Sequence, residues 1–369
     1  MKVLALASYP LEAASTRYRV TQFIEPLAAH GISLTIHPFI DSRLNAMLYN
    51  KSKWPRTAIG LARAALRRVG DVMKARDADV LFVQREAMMF GPPVIEWLAM
   101  HVGGCPLVLD LDDATYVPYV SPTYGRLGSS IKWFSKTNDL IRWADVVTCG
   151  NRNIAEHVGA QGKRAVLIPT VVDTERFRPA ANDEREHVPV LGWVGTHSTY
   201  PYLESIFPVL QRLARDFQFQ LKIVGAGKNE IRLPGVSCES LAWNLQREIA
   251  DFQSFDVGLY PILEDEWSSG KSGFKAVQYM SVGIPFVASP VGACGEIGEA
   301  GVTHLLTGSE DEWYAALARL LSDHELRRQM GAAGRRHALE HYNIADQALK
   351  LAGALRSALD SPRVRQTPA

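Results

Sequence analysis

Residues 267–285 read Trp267-Ser-Ser-Gly270-Lys271-Ser272-Gly273-Phe274-Lys275-Ala-Val-Gln278-Tyr-Met-Ser-Val-Gly-Ile-Pro285. Glycine and serine crowd the front of this stretch and apolar residues recur at helical spacing behind it, which predicts a loop running straight into a helix. The free N–H groups and positive end of such a helix face whatever occupies the loop mouth, and phosphate is the usual occupant. Lys271, Lys275 and Gln278 are expected along one helix face, where two ammonium groups and an amide meet one ligand. Ser272 and Gly273 belong to the same loop. The Gly270-Lys271-Ser272 triplet is not a P-loop, because Asp265 stands where that motif requires its first glycine. A capped, solvated helix with surface lysines is the alternative these residues leave open.

Outward from this stretch, apolar runs alternate with amphipathic segments along the whole chain. Runs at 3–7, 33–36, 80–83, 107–109, 146–148 and 166–168 predict one parallel sheet with helices between its strands. Pro26 is expected to kink the first helix. A second series follows, with strands at 190–194, 220–224, 257–260 and 286–288 and helices at 203–214 and 274–281. Between the two series the sequence turns polar, with Pro179 and Pro189 around a charged cluster at 183–187. At 369 residues with 47% hydrophobic content the chain can fill two cores. The expected division is an N-terminal domain at 1–178, a linker at 179–189 and a second domain at 190–342, with a terminal helix near 343–360 packing back onto the first domain.

Further candidates sit at predicted strand ends, where α/β sheets place ligands. Gly225-Ala-Gly227 follows a strand of the second series, and a close backbone approach to a nucleotide is its functional reading. A full dinucleotide fingerprint is excluded because Glu230 replaces the third glycine and no glycine turn follows the first strand. In the first series Asp112 and Asp113 follow an apolar strand. Arg85 follows another, and Arg17 and Arg19 lie in the segment after the first.

Several of these segments resemble glycosyltransferase family 4. Residues 275–292 are similar to that family's donor-site signature, 168–179 to its interdomain crossover, 192–196 to the strand and turn opening its donor domain, and 221–227 to the following strand and loop. The Met330-Gly-Ala-Ala-Gly-Arg335 and His341-Tyr-Asn343 segments resemble its closing helices. The resemblance implies an α/β chain of GT-B type, two Rossmann-like domains facing each other across a cleft. It further implies retaining transfer of a sugar from a nucleotide-sugar donor to a glycan or lipid-linked acceptor. On this reading Lys271, Lys275 and Asp112 serve the reacting centre. Gly195, Thr196, Gly225, Gly227, Ser272, Gly273, Gln278 and Glu266 hold the donor, while Arg17, Arg19, Arg85 and Asp113 face the acceptor. No cofactor and no metal are implied, since the metal-binding DxD habit belongs to another fold. Two departures matter: the family's paired glutamates are replaced by Gly270 and Gln278, and its basic pair after the first donor-domain strand by Thr196, His197 and Ser198. Glu264 or Glu266 is the candidate substitute for the first glutamate, and Gln278 still offers an acceptor to a ribose.

The net charge of +1, from 40 basic and 39 acidic residues, gives no global attraction for nucleic acid. Cys105, Cys149, Cys238 and Cys294 form no CxxC pair and read as thiols in a reducing, cytoplasmic compartment. The first apolar run is cut by Tyr9, Pro10 and Glu12, which suits a buried strand better than a secretory signal. No uninterrupted apolar stretch approaches the ~20 residues needed to cross a bilayer. Residues 51–76 interleave Lys53, Arg56, Arg63, Arg67, Arg68 and Lys74 with Trp54, Ile59, Leu61, Leu66 and Val69. This composition suits a helix lying on an anionic membrane surface, on the inner face of the cytoplasmic membrane. A nucleotide-sugar epimerase of the same architecture and an inactive nucleotide-sugar-binding protein are the rival functions.

Overall fold

A computed structural model describes residues 1–48, 50–120, 125–181, 187–227 and 230–360. Most of the charged cluster read as a linker lies outside the described residues. The chain divides into two units, one formed by Met1–Thr170 with the C-terminal helix Ile344–Leu359, the other by Val171–Asn343.

The first unit is a parallel six-stranded sheet built from β1 (Lys2–Ala7), β2 (Ser33–Pro38), β3 (Val80–Gln84), β4 (Leu107–Leu111), β5 (Val146–Cys149) and β6 (Ala165–Leu167). Its spatial order is β2-β1-β3-β4-β5-β6. The chain winds outward from β1 and then returns to its other side at β3, so the order reverses between these two strands. In such sheets the crevice at the C-terminal ends of the strands flanking the reversal is the ligand position. Strands β3, β4 and β5 are buried along their whole length, as expected where helices cover both faces. Leu4, Leu6, Leu81, Val83, Leu109 and Val147 form the core.

The second unit repeats the plan with β7 (Val190–Val194), β8 (Gln220–Val224), β9 (Ser237–Leu241), β10 (Val257–Tyr260), β11 (Phe286–Ala288) and β12 (Leu305–Leu306), in the order β12-β11-β10-β7-β8-β9. Here the reversal falls between β7 and β10. Leu191, Trp193, Leu221, Ile223 and Leu259 lie in its core.

Three expectations shift. The unit boundary falls at 170/171 rather than 178, because the crossover segment is fastened to the second unit. Arg335 donates to the carbonyls of Thr174 at 2.9 Å and Phe177 at 2.8 Å, and the Phe177 ring packs edge-on to Phe252 at 6.3 Å. The break in the first helical stretch comes at Val20 (φ −131°, ψ −60°), not at Pro26, which occupies the first turn of Ile24–Ala29, where a missing N–H costs nothing. The helix expected over 203–214 is two helices, Tyr200–Glu204 and Phe207–Asp216, each with proline in its opening turn.

Candidate functional site

In the second unit the loops at the C-terminal ends of β7 and β8 are seated on one another. Gly195 N–H donates to the Val224 carbonyl at 3.0 Å, and Gly225 N–H to that of Leu241 at 2.9 Å. Gly225 has φ +86°, and a Cβ there would stand 2.4 Å from the Gly195 oxygen. Gly227 has φ +74°, with room for a Cβ only 3.0 Å from that of His197. Both positions therefore demand glycine, for conformation and for close approach. Thr196 is exposed beside them, its N–H given to Thr199 Oγ1 at 2.9 Å and its hydroxyl bonded to Ser198 at 2.8 Å.

The stretch 265–281, which follows β10, comes to the same sheet edge. It does not run from loop straight into helix. Asp265 first caps a single turn, Glu266–Ser269, by accepting the Ser268 N–H at 2.6 Å, and the chain then turns through Gly270–Gly273 into the helix Phe274–Ser281. Lys271 therefore precedes the helix, and the expected run of Lys271, Lys275 and Gln278 along one helix face is corrected to Lys275 and Gln278 alone. Gly273, at φ +64°, is the N-cap, and no side chain caps the helix. A Cβ at Gly273 would stand 2.1 Å from Ile297 Cδ1, and one at Gly292 would stand 2.8 Å from the Ser268 oxygen. The loop is thus pressed tightly from beneath, and the helix that follows opens on a glycine whose carbonyl accepts the Ala276 N–H at 3.0 Å.

Lys271 Nζ lies 5.7 Å from the centre of the Tyr202 ring, whose hydroxyl is bonded to Ser268 Oγ at 3.0 Å. This ties the β7 loop to the β10 loop. Lys275 Nζ donates to Gln278 Oε1 at 2.8 Å and lies over the rings of Phe252 and Phe274, at 5.3 and 5.7 Å. Both lysines are half-buried, as is Ser272, whereas Gln278 is fully buried, so the alternative of a solvated helix with surface lysines does not hold. Glu264 and Glu266 are exposed and Gly270 is buried. Beneath the loop, burial pushes the Cys294 thiol up to about 12.

The first unit treats its candidates differently. Arg19, expected to face the acceptor, is 2% exposed. Its guanidinium is shared by both Asp110 oxygens, at 2.5 and 3.0 Å, and the Ile168 carbonyl at 2.6 Å, while Thr148 donates to Asp110 at 2.6 Å. Arg19 is thus a fastening between β4, β5 and the crossover, and its acceptor role is withdrawn. Arg85, at the end of β3, adopts φ +64°, rare for a side-chain-bearing residue. It grips Asp112 through two bonds, at 2.5 and 2.7 Å, and Asp113 through one at 2.5 Å. Burial would raise the Asp112 pKa, but the charge and hydrogen bonds of Arg85 outweigh it and hold the carboxyl below its ordinary value. Arg17 is half-buried, its guanidinium 4.2 Å from the centre of the Tyr18 ring.

Two features escaped sequence reading. Glu86, one residue past Arg85, is buried and accepts from Lys132 and Lys136, each at 2.6 Å. Its carboxyl, which burial would raise, is held low by these two charges. Arg68, placed with the membrane-facing charges, is instead buried. It donates to the carbonyls of Ala7, His37 and Ala87 and to Asp71, at 2.7 to 3.0 Å, closing the ends of β1 and β2. Only long-range contact distinguishes these residues from surface charges, so no local spacing announces them.

Residues 188–323 match the family described as Glycosyl transferases group 1, and the chain carries such a domain, of GT-B type. No curated protein matches the chain by sequence. Among solved structures it is similar to sucrose-phosphate synthase from Thermosynechococcus elongatus, with TM-score 0.68 and 15% identity over 98% of this chain and 99% of that one. It is similar to Anabaena HepE in complex with UDP-glucose, with TM-score 0.68 and 15% identity over 97% of this chain and 100% of that one. The lipopolysaccharide outer core galactosyltransferase WaaB superposes with TM-score 0.61 and 16% identity, over 97% of this chain and 99% of that one. At these identities the likeness establishes the GT-B fold.

Proposed function

We propose that this chain, a glycosyltransferase by its group 1 domain, transfers a hexose from a nucleotide-sugar donor held by its second unit to a glycan or lipid-linked acceptor, with retention of configuration. The observation that carries this is the meeting of Gly195, Gly225, Gly227, Lys271, Lys275 and an uncapped helix N-terminus at the strand ends where the order of the second sheet reverses. Close backbone approach, the positive end of a helix and two ammonium ions suit a diphosphate. As the bond to the sugar breaks, negative charge grows on the leaving diphosphate, and preorganised cations stabilise that state more than the ground state. Arg85, Asp112, Asp113 and Arg17 are the acceptor-side candidates. The transfer as proposed uses no resident metal, since Asp112 and Asp113 are already engaged by Arg85. The four cysteines form no disulfide, in keeping with a cytoplasmic site of action.

The supporting experiment incubates the protein with a panel of nucleotide sugars, with and without glycan and lipid-linked acceptors, and follows diphosphate release and product anomer. Acceptor-dependent release with a retained anomer is expected. Interconversion of the sugar without acceptor would identify an epimerase instead, and no reaction with any donor would leave only a binding protein.

The acceptor partner we propose includes an anionic lipid surface. Among the described residues no helix is long and apolar enough to cross a membrane. Helix Trp54–Lys74, however, presents Ile59, Leu66, Val69 and Met73 to solvent on one strip, Leu66 being 73% exposed. Arg56, Arg63, Arg67 and Lys74 are exposed along the strip beside it. An apolar ridge edged by cations suits a headgroup layer. Sedimentation with anionic liposomes should deplete the protein at low salt and release it as charge is screened. Replacing Arg63 and Arg67 with Glu should abolish the depletion, and unchanged binding would refute the lipid surface.

A further inference from the structure

We infer that helix Gly125–Lys132, with the chain on either side of it, is a bilayer contact that seats the acceptor edge of the first unit on anionic lipid; this rests on the lipid-surface reading above. No residue of the helix is buried. Leu127 and Ile131, one turn apart, are 65% and 51% exposed, and Val120 and Trp133 are exposed to a like degree. Ser129 Oγ donates to the Tyr119 carbonyl at 2.8 Å, and the Tyr119 ring packs edge-on to Phe134 at 5.1 Å, which draws the flanking residues about the helix. Eight residues fall short of the ~12 that a helix needs to hold alone in water, and two glycines weaken this one further. A helix of this kind that buries nothing in its own fold is completed by an outside surface, and grouped exposed apolar side chains mark such a contact.

Charge identifies the surface. Residues 42–70 and 114–138 are the two longest stretches of the first unit without Asp or Glu, and they carry most of helix Trp54–Lys74 and all of helix Gly125–Lys132. Arg126 is exposed, while Lys132 and Lys136 share the one carboxylate of Glu86, each at 2.6 Å, so the balance there is positive. Such a face suits the headgroups of an anionic bilayer, and Tyr119 and Trp133 are of the types that settle at headgroup depth. The two helices are also joined. Gly91 N–H donates to the Ile131 carbonyl at 3.0 Å, and Met89 and Phe90 just before it pack on the cluster that holds Leu44 and Ala64. Ala64 belongs to helix Trp54–Lys74, so both exposed apolar strips stand on one cluster. Glu86, which fastens the helix Gly125–Lys132 through Lys132, directly follows Arg85, and the contact therefore lies at the strand ends where the acceptor-side candidates stand.

The test uses the full chain and vesicles of phosphatidylglycerol with brominated acyl chains, which quench tryptophan on contact. Trp54, 52% exposed, reports on helix Trp54–Lys74, and Trp133 reports on the face proposed here. Comparing the wild type with Trp54→Phe and Trp133→Phe separates the two signals. Both tryptophans should be quenched by phosphatidylglycerol, neither by brominated phosphatidylcholine, and salt should restore the emission. The double variant Leu127→Ser, Ile131→Ser should partition onto phosphatidylglycerol at least about tenfold more weakly, with an unchanged melting temperature because both side chains are exposed. Quenching of Trp54 without Trp133, or wild-type partition of the double variant, overturns the inference while leaving the contact through helix Trp54–Lys74 standing. A wild-type dimer that the double variant turns into a monomer, with Trp133 unquenched by lipid, would give the face to a second copy and overturns it as well. If the wild type binds no vesicle at low salt, the lipid-surface reading fails and this inference falls with it.

Discussion

The two units share a sheet plan but use charge at their strand ends in opposite ways. In the first, Arg19 is closed on Asp110, Arg85 on Asp112 and Asp113, Arg68 on Asp71 and three carbonyls, and Lys132 and Lys136 on Glu86. In the second, the corresponding edge is built from Gly195, Gly225, Gly227 and Gly273, with half-buried Lys271 and Lys275 above an uncapped helix. Charges in the first are largely spent on carboxylates, and those in the second lie over aromatic rings beside glycine-built loops. A buried guanidinium is therefore a fastening in one unit, whereas an ammonium over an aromatic ring is the ligand group we propose in the other.

That contrast can be broken by mutation, and the largest effect should come from the first unit. Arg19→Ala strands a buried Asp110 carboxylate and should destabilise the protein by about 3–5 kcal/mol, the usual cost of halving a buried pair. Urea unfolding followed by circular dichroism measures this. A loss below 1 kcal/mol would mean that Arg19 is not the fastening described.

Acid should separate the units next. Burial, with a smaller contribution from nearby His337, lowers the His304 pKa from 6.5 to about 4. The unfolded chain therefore takes up this proton first, so the stability His304 contributes is complete above pH 6.5, is lost as pH falls towards 4, and changes no further below that. The loss should reach ~3 kcal/mol across the window, and H304N should flatten it. In the first unit the Asp112 and Glu86 carboxyls lie below their ordinary values, so their contribution is present above the usual carboxylate pKa and is lost only in stronger acid. An unfolding midpoint independent of pH between 7 and 5 would contradict this order.

Smaller again is Gly225→Ala, which forces a side chain into positive φ against the Gly195 oxygen. About 1–3 kcal/mol is expected, together with weakened nucleotide binding, measured by thermal melting and calorimetry. Lys275→Ala leaves the buried Gln278 oxygen unmet and should cost about 1–3 kcal/mol; the smallest effect on stability belongs to Lys271→Ala, about 1 kcal/mol or less, although turnover should fall by about 10²-fold in both. A suitable charge control is Arg232→Ala, whose side chain is largely exposed. Lys222 would be a poor one, because it lies 3.8 Å from both Glu239 and Asp251.

Sequence alone was a good guide wherever a strand is an unbroken apolar run. Strands β7, β8 and β10 and the helix Phe274–Ser281 fall where the periodicity put them. Strand β9, Ser-Cys-Glu-Ser-Leu, carries no apolar alternation because it is the half-buried edge of its sheet, and it went unread. The glycine turns were legible because only glycine tolerates their geometry, and so was the lysine-bearing loop. The fates of Arg19 and Arg68 were not, since whether an arginine is buried depends on partners up to 151 residues away. The single turn Glu266–Ser269 was also hidden: four residues are too few to show a period.

The most direct test of the account is calorimetric titration of the intact protein with a panel of nucleoside diphosphates and their sugar conjugates, repeated on the Lys271→Ala, Lys275→Ala double variant. The account predicts saturable binding of at least one nucleotide by the wild type and a loss of at least about 10²-fold in the double variant, measured at a temperature where that variant is still fully folded. Equal affinity in the two proteins, or no binding of any nucleotide to the wild type, would contradict it.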